Sequence, residues 1–353
     1  MQLDTLLKTS GPVLITGHTG FKGTWLTLLL ETLGLKVCGY SLEPLPSSLF
    51  SRMNRRERIP EFFGDIRNSK NLNEFISIMK PEIIIHLAAQ PLVIDSYTDP
   101  VGTFSTNVMG TVNLLNAGFQ DPNTKCVAVI TTDKVYRNIN KERRFTETDA
   151  LAGKDPYSAS KVAAEAAIAA WQNMSVLEGK FPILSLRAGN VIGGGDLSDN
   201  RLMPDVVRHM YFNIGLQVRN PLSTRPWQHV LDPLVGYLLA INRALTSQTS
   251  EAYNFAYNEK SLSVGEVLEY VNEYTPLSFK TNKNSSREVQ HMESLYLDLD
   301  SSKASKELGW EPKWNQQSAI FQTLEWWKSV MNGELSSEEA CQLEIQGLLK
   351  SLI

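Results

Sequence analysis

Cysteine is scarce in this chain of 353 residues. The three present, Cys38, Cys126 and Cys341, lie far apart and form no C-x-x-C pair. That excludes a disulfide framework and a cysteine-built zinc site, and fits reduced thiols in a cytoplasmic protein. The five histidines, His18, His86, His209, His229 and His291, are equally dispersed, so no metal site is expected. No apolar run approaches the ~20 residues that span a bilayer. The opening Met-Gln-Leu-Asp-Thr-Leu-Leu-Lys lacks the basic-then-apolar order of a secretory signal. An excess of positive charge is missing too: 34 Lys and Arg face 38 Asp and Glu, a formal net of −4. This argues against nucleic acid or a membrane surface as partner. There are no repeats and no low-complexity tracts. With 42% hydrophobic residues, the chain suits one large or two intimately joined soluble domains with sizeable cores.

The apolar run Pro12 to Thr16 reads as a strand. It leads into Gly17-His18-Thr19-Gly20-Phe21-Lys22-Gly23 and then the helix-like Thr24 to Leu30. Strand, glycine turn and helix are the context of a dinucleotide site, where glycine lets the backbone approach a pyrophosphate at the positive end of a helix. The spacing is G-x-x-G-x-x-G, not G-x-G-x-x-G. Read from these residues alone, a plain glycine turn stays open as the alternative.

Further strands are expected at Lys36–Tyr40, Phe62–Ile66, Glu82–Ala89, Cys126–Thr131 and Ile183–Arg187, alternating with helices at Asn71–Lys80, Asp99–Phe119 and Asp155–Trp171. Such alternation predicts an α/β fold: a Rossmann-type doubly wound parallel sheet with a smaller, mostly helical C-terminal substrate domain. The dinucleotide domain is placed at 1–187, with returning segments near 231–257 (a helix Asp232–Ala244 and a strand Tyr253–Phe255). The substrate domain takes 188–230 and 258–353. It has expected helices at Ser263–Tyr274, Ser301–Leu308 and Ser318–Met331, and a last one from Ser337 to about Leu352.

Tyr157 and Lys161, in Asp-Pro-Tyr-Ser-Ala-Ser-Lys, fall at i and i+4 and so share a helix face. An ammonium beside a phenol favours the phenolate, which turns a group with a pKa near ~10 into a base at neutral pH. Upstream, Thr131-Thr132-Asp133-Lys134 adds an acid and a base more than a simple dehydrogenase needs. Left alone, adjacent Asp133 and Lys134 form an ion pair, the wrong protonation state for acid–base work. In a closed site they would titrate as a coupled unit.

The motifs TGHTGFKG (16–23), HLAAQP (86–91), TNVMGT (106–111), TDK (132–134), DPYSASK (155–161), RAGNVIGGGD (187–196) and RPWQHV (225–230) span nearly the whole chain. Together they resemble the extended short-chain dehydrogenase/reductases that act on nucleotide sugars, and within them the CDP-glucose 4,6-dehydratases. The resemblance implies an enzyme that oxidises C4 of the hexose, eliminates water across C5 and C6, and returns the hydride to C6, serving deoxysugar synthesis of the lipopolysaccharide O-antigen kind. It makes Tyr157 the base at the C4 hydroxyl, Lys161 its partner and a ribose ligand, and Thr132 a hydrogen-bond partner of the C4 oxygen. Asp133 becomes the acid at C6 and Lys134 the base at C5. The implied cofactor contacts are Gly17, Thr19, Gly20, Phe21, Lys22, Gly23, Asp65, Ile66, Leu87, Ala88, Ala89 and Asn107, with Tyr157 and Lys161. Those to the nucleotide sugar are Gln90, Asn190, Arg201, Arg225, Gln228 and His229. His229 also reads as a satisfied core histidine.

The implied cofactor is NAD, yet the second strand ends Tyr40-Ser41-Leu42, without the carboxylate that usually binds the ribose hydroxyls. Arg52, Arg55, Arg56 and Arg58 follow, so NADP stays open. A 4-epimerase or reductase would need Tyr157 and Lys161 but has no use for an acid–base pair at C5 and C6, and a non-catalytic dinucleotide sensor could dispense with both. Apolar residues on more than one side of the helices 99–119 and 155–171, with alanines 163, 164, 167 and 170, leave a face for a second copy, the substrate domain or a loop to cover, and the resemblance implies a homodimer that pairs these helices in a four-helix bundle.

Overall fold

Seven short strands, β1 (Val13–Thr16), β2 (Val37–Ser41), β3 (Glu61–Phe63), β4 (Ile83–His86), β5 (Cys126–Ile130), β6 (Ile183–Ala188) and β7 (Ala252–Phe255), build one sheet. Their order is β7-β6-β5-β4-β1-β2-β3, and every neighbouring pair is parallel. The computed structural model describes residues 6–275, 280–281 and 295–352, apart from 219 and 258; His291 lies outside the described residues. The strands β1, β2, β4, β5 and β6 are buried at every position because helices cover both faces, hence their continuous apolar runs. Chain order reverses between β1 and β4, and a crevice opens beyond their carboxyl ends, where doubly wound sheets bind ligands.

The helix Phe21–Thr32 buries every residue from Gly23 to Leu30, more than one face can cover. The sheet takes one side. The C-terminal helix Ser337–Ser351 takes another, its Ala340, Cys341, Ile345 and Leu348 sharing a core with Trp25, Leu26 and Leu29. This differs from the expected grouping of 258–353 as substrate domain. The i, i+4, i+7 apolar spacing of the last helix matches an uncovered flank of the dinucleotide half. A separate core, including Ile192, Met203, Val206, Trp227, Val267 and Ile320, holds the smaller part together beside the crevice.

The helix that carries Tyr157 begins where its caps dictate. Asp155 accepts from Ser158 N at 2.9 Å, Ser158 Oγ accepts from Asp155 N at 3.1 Å, and Pro156 occupies the first turn. It runs past the expected end at Trp171 to Glu178 and closes at Gly179. The expected helix at 99–119 is a continuous run from Pro100 to Gln120 interrupted by a π turn at Ser105–Met109. β4 stops at His86, three residues short of expectation, because Leu87–Ala89 turns out of the sheet into the crevice. Among the described residues, no helix is long and apolar enough to cross a membrane.

Candidate active site

The glycine turn packs as its spacing requires. Gly17 adopts φ +75°, and a Cβ there would lie 2.8 Å from Ala88 N; at Gly23 a Cβ would lie 2.1 Å from Gly17 O. Only glycine permits both the turn and the close approach of helix to strand. The helix then starts at Phe21 with Gly20 as its cap, which leaves backbone N–H groups aimed into the crevice. At the other end of the crevice Asp65 is gripped by Arg67 through its Nε (3.0 Å) and its backbone N (2.8 Å). Hydrogen bonding from Arg67 holds the Asp65 carboxyl below its ordinary range. Ser41 Oγ, where a carboxylate was missed, bonds Thr19 Oγ1 at 2.7 Å. The four arginines that kept NADP open turn elsewhere. Arg52 lies over the Trp327 ring, Arg55 pairs with Glu31, Arg56 with Glu43 and Arg58 with Glu338.

A cavity of about 940 Å³ joins this crevice to the smaller part of the molecule. All five expected catalytic residues line it, as does every expected cofactor residue except Asn107. Of the expected sugar contacts it takes in Asn190, Arg201 and Arg225. The other three do not line it. Gln90 spends its side chain on Thr103 Oγ1 (2.9 Å) and Leu92 O (3.1 Å). Gln228 and His229 form a two-residue strand beside Val191–Ile192 whose side chains are taken by neighbouring elements. Gln228 Nε2 donates to Phe255 O at 2.9 Å, and His229 Nε2 faces Glu344 Oε2 at 3.1 Å. His229 is a core histidine. Asn107, expected among the cofactor contacts, is buried and bonds the Gln90 backbone and Ser160 Oγ. A second hollow, of about 1350 Å³, lies by Thr9, Glu82, Lys125 and Phe181, at the amino ends of the strands, and holds none of these groups.

The acid–base groups come from two elements. Beyond β5 the chain makes a 3₁₀ turn, Asp133–Val135, capped by the Thr132 hydroxyl, which accepts from Lys134 N. Thr132 Oγ1 also donates to Asp133 Oδ1 at 2.9 Å, while Oδ2 is buried without a protein partner. Burial pushes the Asp133 carboxyl up, against the opposing pull of Lys134, Thr132, Arg225 and Lys22. That is the direction an acid needs. From the second helical turn, Lys161 is brought down to about 8 by burial, with Glu165 pulling it back. The Tyr157 phenol is pushed up to about 12 by burial, with Thr132 opposing. The lowering of the phenol by Lys161 that the sequence suggests does not enter: desolvation prevails over the opposing pull of Thr132 and Arg201. Lys22 reaches inward from the glycine turn to Tyr237 OH at 3.4 Å, and burial brings its amine down to about 7.

One support of the site carries no motif of its own in the sequence. Glu165, one turn beyond Lys161, accepts from Arg187 through Nε and Nη2 (both 2.8 Å), from Ser185 Oγ (2.7 Å) and from Thr131 Oγ1 (2.6 Å). Arg187 also donates to Tyr136 OH at 2.9 Å. This network ties the catalytic helix to β5 and β6. Its only sequence signal was the continued spacing Tyr157, Lys161, Glu165 along one helix face.

Comparison with known proteins identifies the family. The model of the family described as GDP-mannose 4,6 dehydratase matches residues 14–323. The chain is 40% identical over 331 residues to a CDP-glucose 4,6-dehydratase of Salmonella typhimurium, covering 91% of this chain and 92% of that protein. It is 26% identical to a dTDP-glucose 4,6-dehydratase of Xanthomonas campestris, covering 89% and 92%. Among solved structures, a UDP-glucose-4-epimerase from Stenotrophomonas maltophila with bound NAD shares the fold at a TM-score of 0.80 and 21% identity, over 92% of this chain and 99% of that one. A dTDP-glucose 4,6-dehydratase from Bacillus anthracis in complex with NAD does so at 0.75 and 23%, over 91% and 97%. With a family match across most of its length and a dehydratase relative at 40% identity, the chain belongs to the nucleotide-sugar 4,6-dehydratases of the extended short-chain dehydrogenase/reductases.

Proposed function

We propose that this chain is a CDP-glucose 4,6-dehydratase that uses NAD and converts CDP-D-glucose to CDP-4-keto-6-deoxy-D-glucose. The observation that carries the reading is one cavity holding both the Tyr157–Lys161 pair and the Asp133–Lys134 pair. The first serves any sugar oxidation; the second serves only an elimination next to it. The relative of 40% identity supports cytosine as the base.

NAD fits on local grounds: close backbone packing at Gly17 and Gly23 sets the start of the helix Phe21–Thr32 at the crevice, where its positive end would meet a pyrophosphate. When bound, it supplies a reversible hydride acceptor and a positive ring that favours the Tyr157 phenolate. Tyr157 takes the proton of the C4 hydroxyl while Thr132 holds the oxygen. The C4 ketone acidifies the C5–H bond, and Lys134 accepts that proton. Asp133, its carboxyl pushed up by burial, donates to the C6 hydroxyl, which leaves as water; the hydride taken from C4 then returns to C6 and Lys134 gives a proton back to C5, completing the 4-keto-6-deoxy product. Arg201 and Arg225, both lining the cavity, suit the sugar diphosphate.

Assembly as a homodimer belongs to the same reading. Val101, Phe104 and Met109 on one helical run and Met174, Val176 and Leu177 on the helix Pro156–Glu178 are exposed; Val101 is 78% and Leu177 85% accessible. The two runs pack side by side, so a second copy pairing with them completes a four-helix bundle. The three buried, unpaired cysteines suit a reducing cytoplasm.

The test is incubation with CDP-glucose in deuterated water. The expected result is a 4-keto product with deuterium at C5 and no net reduction of NAD. A 4-epimerase would give a product without C5 exchange. No keto product from CDP-, dTDP-, UDP- or GDP-hexoses would overturn the reading.

A further inference from the structure

His86 closes β4 beside Thr16, the last residue of β1, and the two are register partners where the chain order reverses. Its ring is buried and does not line the cavity, yet every polar contact it makes leads to something that does. Thr16 Oγ1 lies 2.7 Å from Nδ1, and Thr111 Oγ1 lies 3.1 Å from Nε2. Thr111 Oγ1 donates to Asn107 O at 2.7 Å. A hydroxyl has one proton, so Thr111 must accept from His86, and Nε2 carries the hydrogen. Nδ1 is then bare and accepts from Thr16, whose oxygen in turn accepts from Ala88 N at 3.3 Å. The chain of donors therefore has one direction, from Ala88 through Thr16, His86 and Thr111 to Asn107.

The far end of that chain is the π turn Ser105–Met109, where Gly110 N donates five residues back to Ser105 O. π turns of this kind cluster at functional sites. Asn107, at its centre, donates to Ser160 Oγ at 2.9 Å, and Ser160 donates to Tyr157 O at 2.7 Å. The near end is the crevice itself, since Ala88 lines it and Thr16 precedes the glycine turn. Resting on the dehydratase reading above, we propose that His86 is a positioning residue. As a neutral imidazole it couples the dinucleotide edge of the sheet to the π turn, and so sets the place of Tyr157 and Lys161. Burial, and after it the charge of Lys161 on the catalytic helix, push the imidazole down to about 3, so its neutral form persists throughout the working range. Lys161 is the charged group that bears on it.

The test uses Thr111, which does not line the cavity. Thr111→Val keeps the volume and removes the relay hydroxyl; Thr111→Ser keeps the hydroxyl. A misplacement of about 1 Å costs up to ~100-fold in rate. The expected result for Thr111→Val is a kcat lowered ~10–100-fold, with KM for CDP-glucose and Kd for NAD within ~3-fold of wild type. Thr111→Ser should return to within ~3-fold of wild-type kcat. Nitrogen NMR of wild type should show His86 with one protonated and one bare ring nitrogen, unchanged from about pH 5 to 9. The Tyr157 titration with NAD bound, taken as the ultraviolet difference from Tyr157→Phe, should rise by about one unit in Thr111→Val. Wild-type kcat in Thr111→Val, a parallel fall of kcat and NAD binding in both variants, or a charged His86 above pH 5 would each overturn the proposal. The NMR and titration arms involve no sugar, so they decide it even if no nucleotide sugar is turned over and the dehydratase reading fails.

Discussion

Replacing Arg187 with methionine removes the cation beneath the catalytic helix and leaves Glu165 buried with only hydroxyls to serve it. The wild-type side chains of the pair are about 5% exposed, so solvent screens little of their interaction. Breaking a buried pair on one side costs ~3–5 kcal/mol because the remaining charge is uncompensated. An unfolding entropy of ~2.1 cal/mol/K per residue over 353 residues gives about 0.74 kcal/mol/K, and thus a melting temperature lowered by about 4–7 °C. The pH dependence identifies the cause. In wild type, burial pushes the Glu165 carboxyl up, but Arg187 more than reverses this and holds it below its ordinary range. Its contribution is present above the unfolded pKa and is lost as pH falls through the folded one. In Arg187→Met burial prevails, the folded pKa exceeds the unfolded one, and the native state takes up a proton that the unfolded chain does not. Stability of the variant therefore rises as pH falls from 8 toward 5, and the gap to wild type narrows. Scanning calorimetry at several pH values measures this. A shift below about 1 °C, or a gap that does not change with pH, would refute the account of Glu165 as a carboxylate held by Arg187.

Tyr157→Phe should lower kcat by ~10²–10⁴ while NAD binding, followed by calorimetry, stays close to wild type. Lys134→Gln should abolish C5 exchange in deuterated water yet still show single-turnover oxidation at C4, separating the second acid–base pair from the first. Gly23→Ala drives a Cβ to 2.1 Å from Gly17 O, so NAD affinity should fall at least ~10-fold, and normal affinity would contradict the close-packed turn. Val101→Glu with Leu177→Glu should give a monomer near 40 kDa by light scattering at micromolar concentration, whereas a persistent dimer would place the interface elsewhere.

The alternation of buried strands and helices was legible because burial on both faces writes itself as continuous apolar runs, and the glycine turn because only Gly17 and Gly23 permit its backbone path. Tyr157 and Lys161 were legible for a local reason as well: a capping box starts their helix, and four residues bring them to one face. Their meeting with Asp133 and Lys134 was legible only through the family motifs, since it depends on a turn beyond a different strand. What tertiary structure alone decided is where polar side chains turn. Gln228 and His229 sit in a motif of this family, but pairing with Val191–Ile192 aims them at Phe255 and Glu344, away from the cavity. The C-terminal helix covers Trp25 and Leu26 because the helix Phe21–Thr32 is apolar on more than one side, and no local pattern says which distant segment supplies the cover. Glu165 is an ordinary polar residue in sequence, and His86, though it opens the HLAAQP motif, shows no role there. Their roles come from the hydrogen-bond partners that folding brings from Arg187, Thr16 and Thr111, each at least twenty residues away. Local periodicity dictated the elements; the pairing of buried polar groups, which no period encodes, dictated the site.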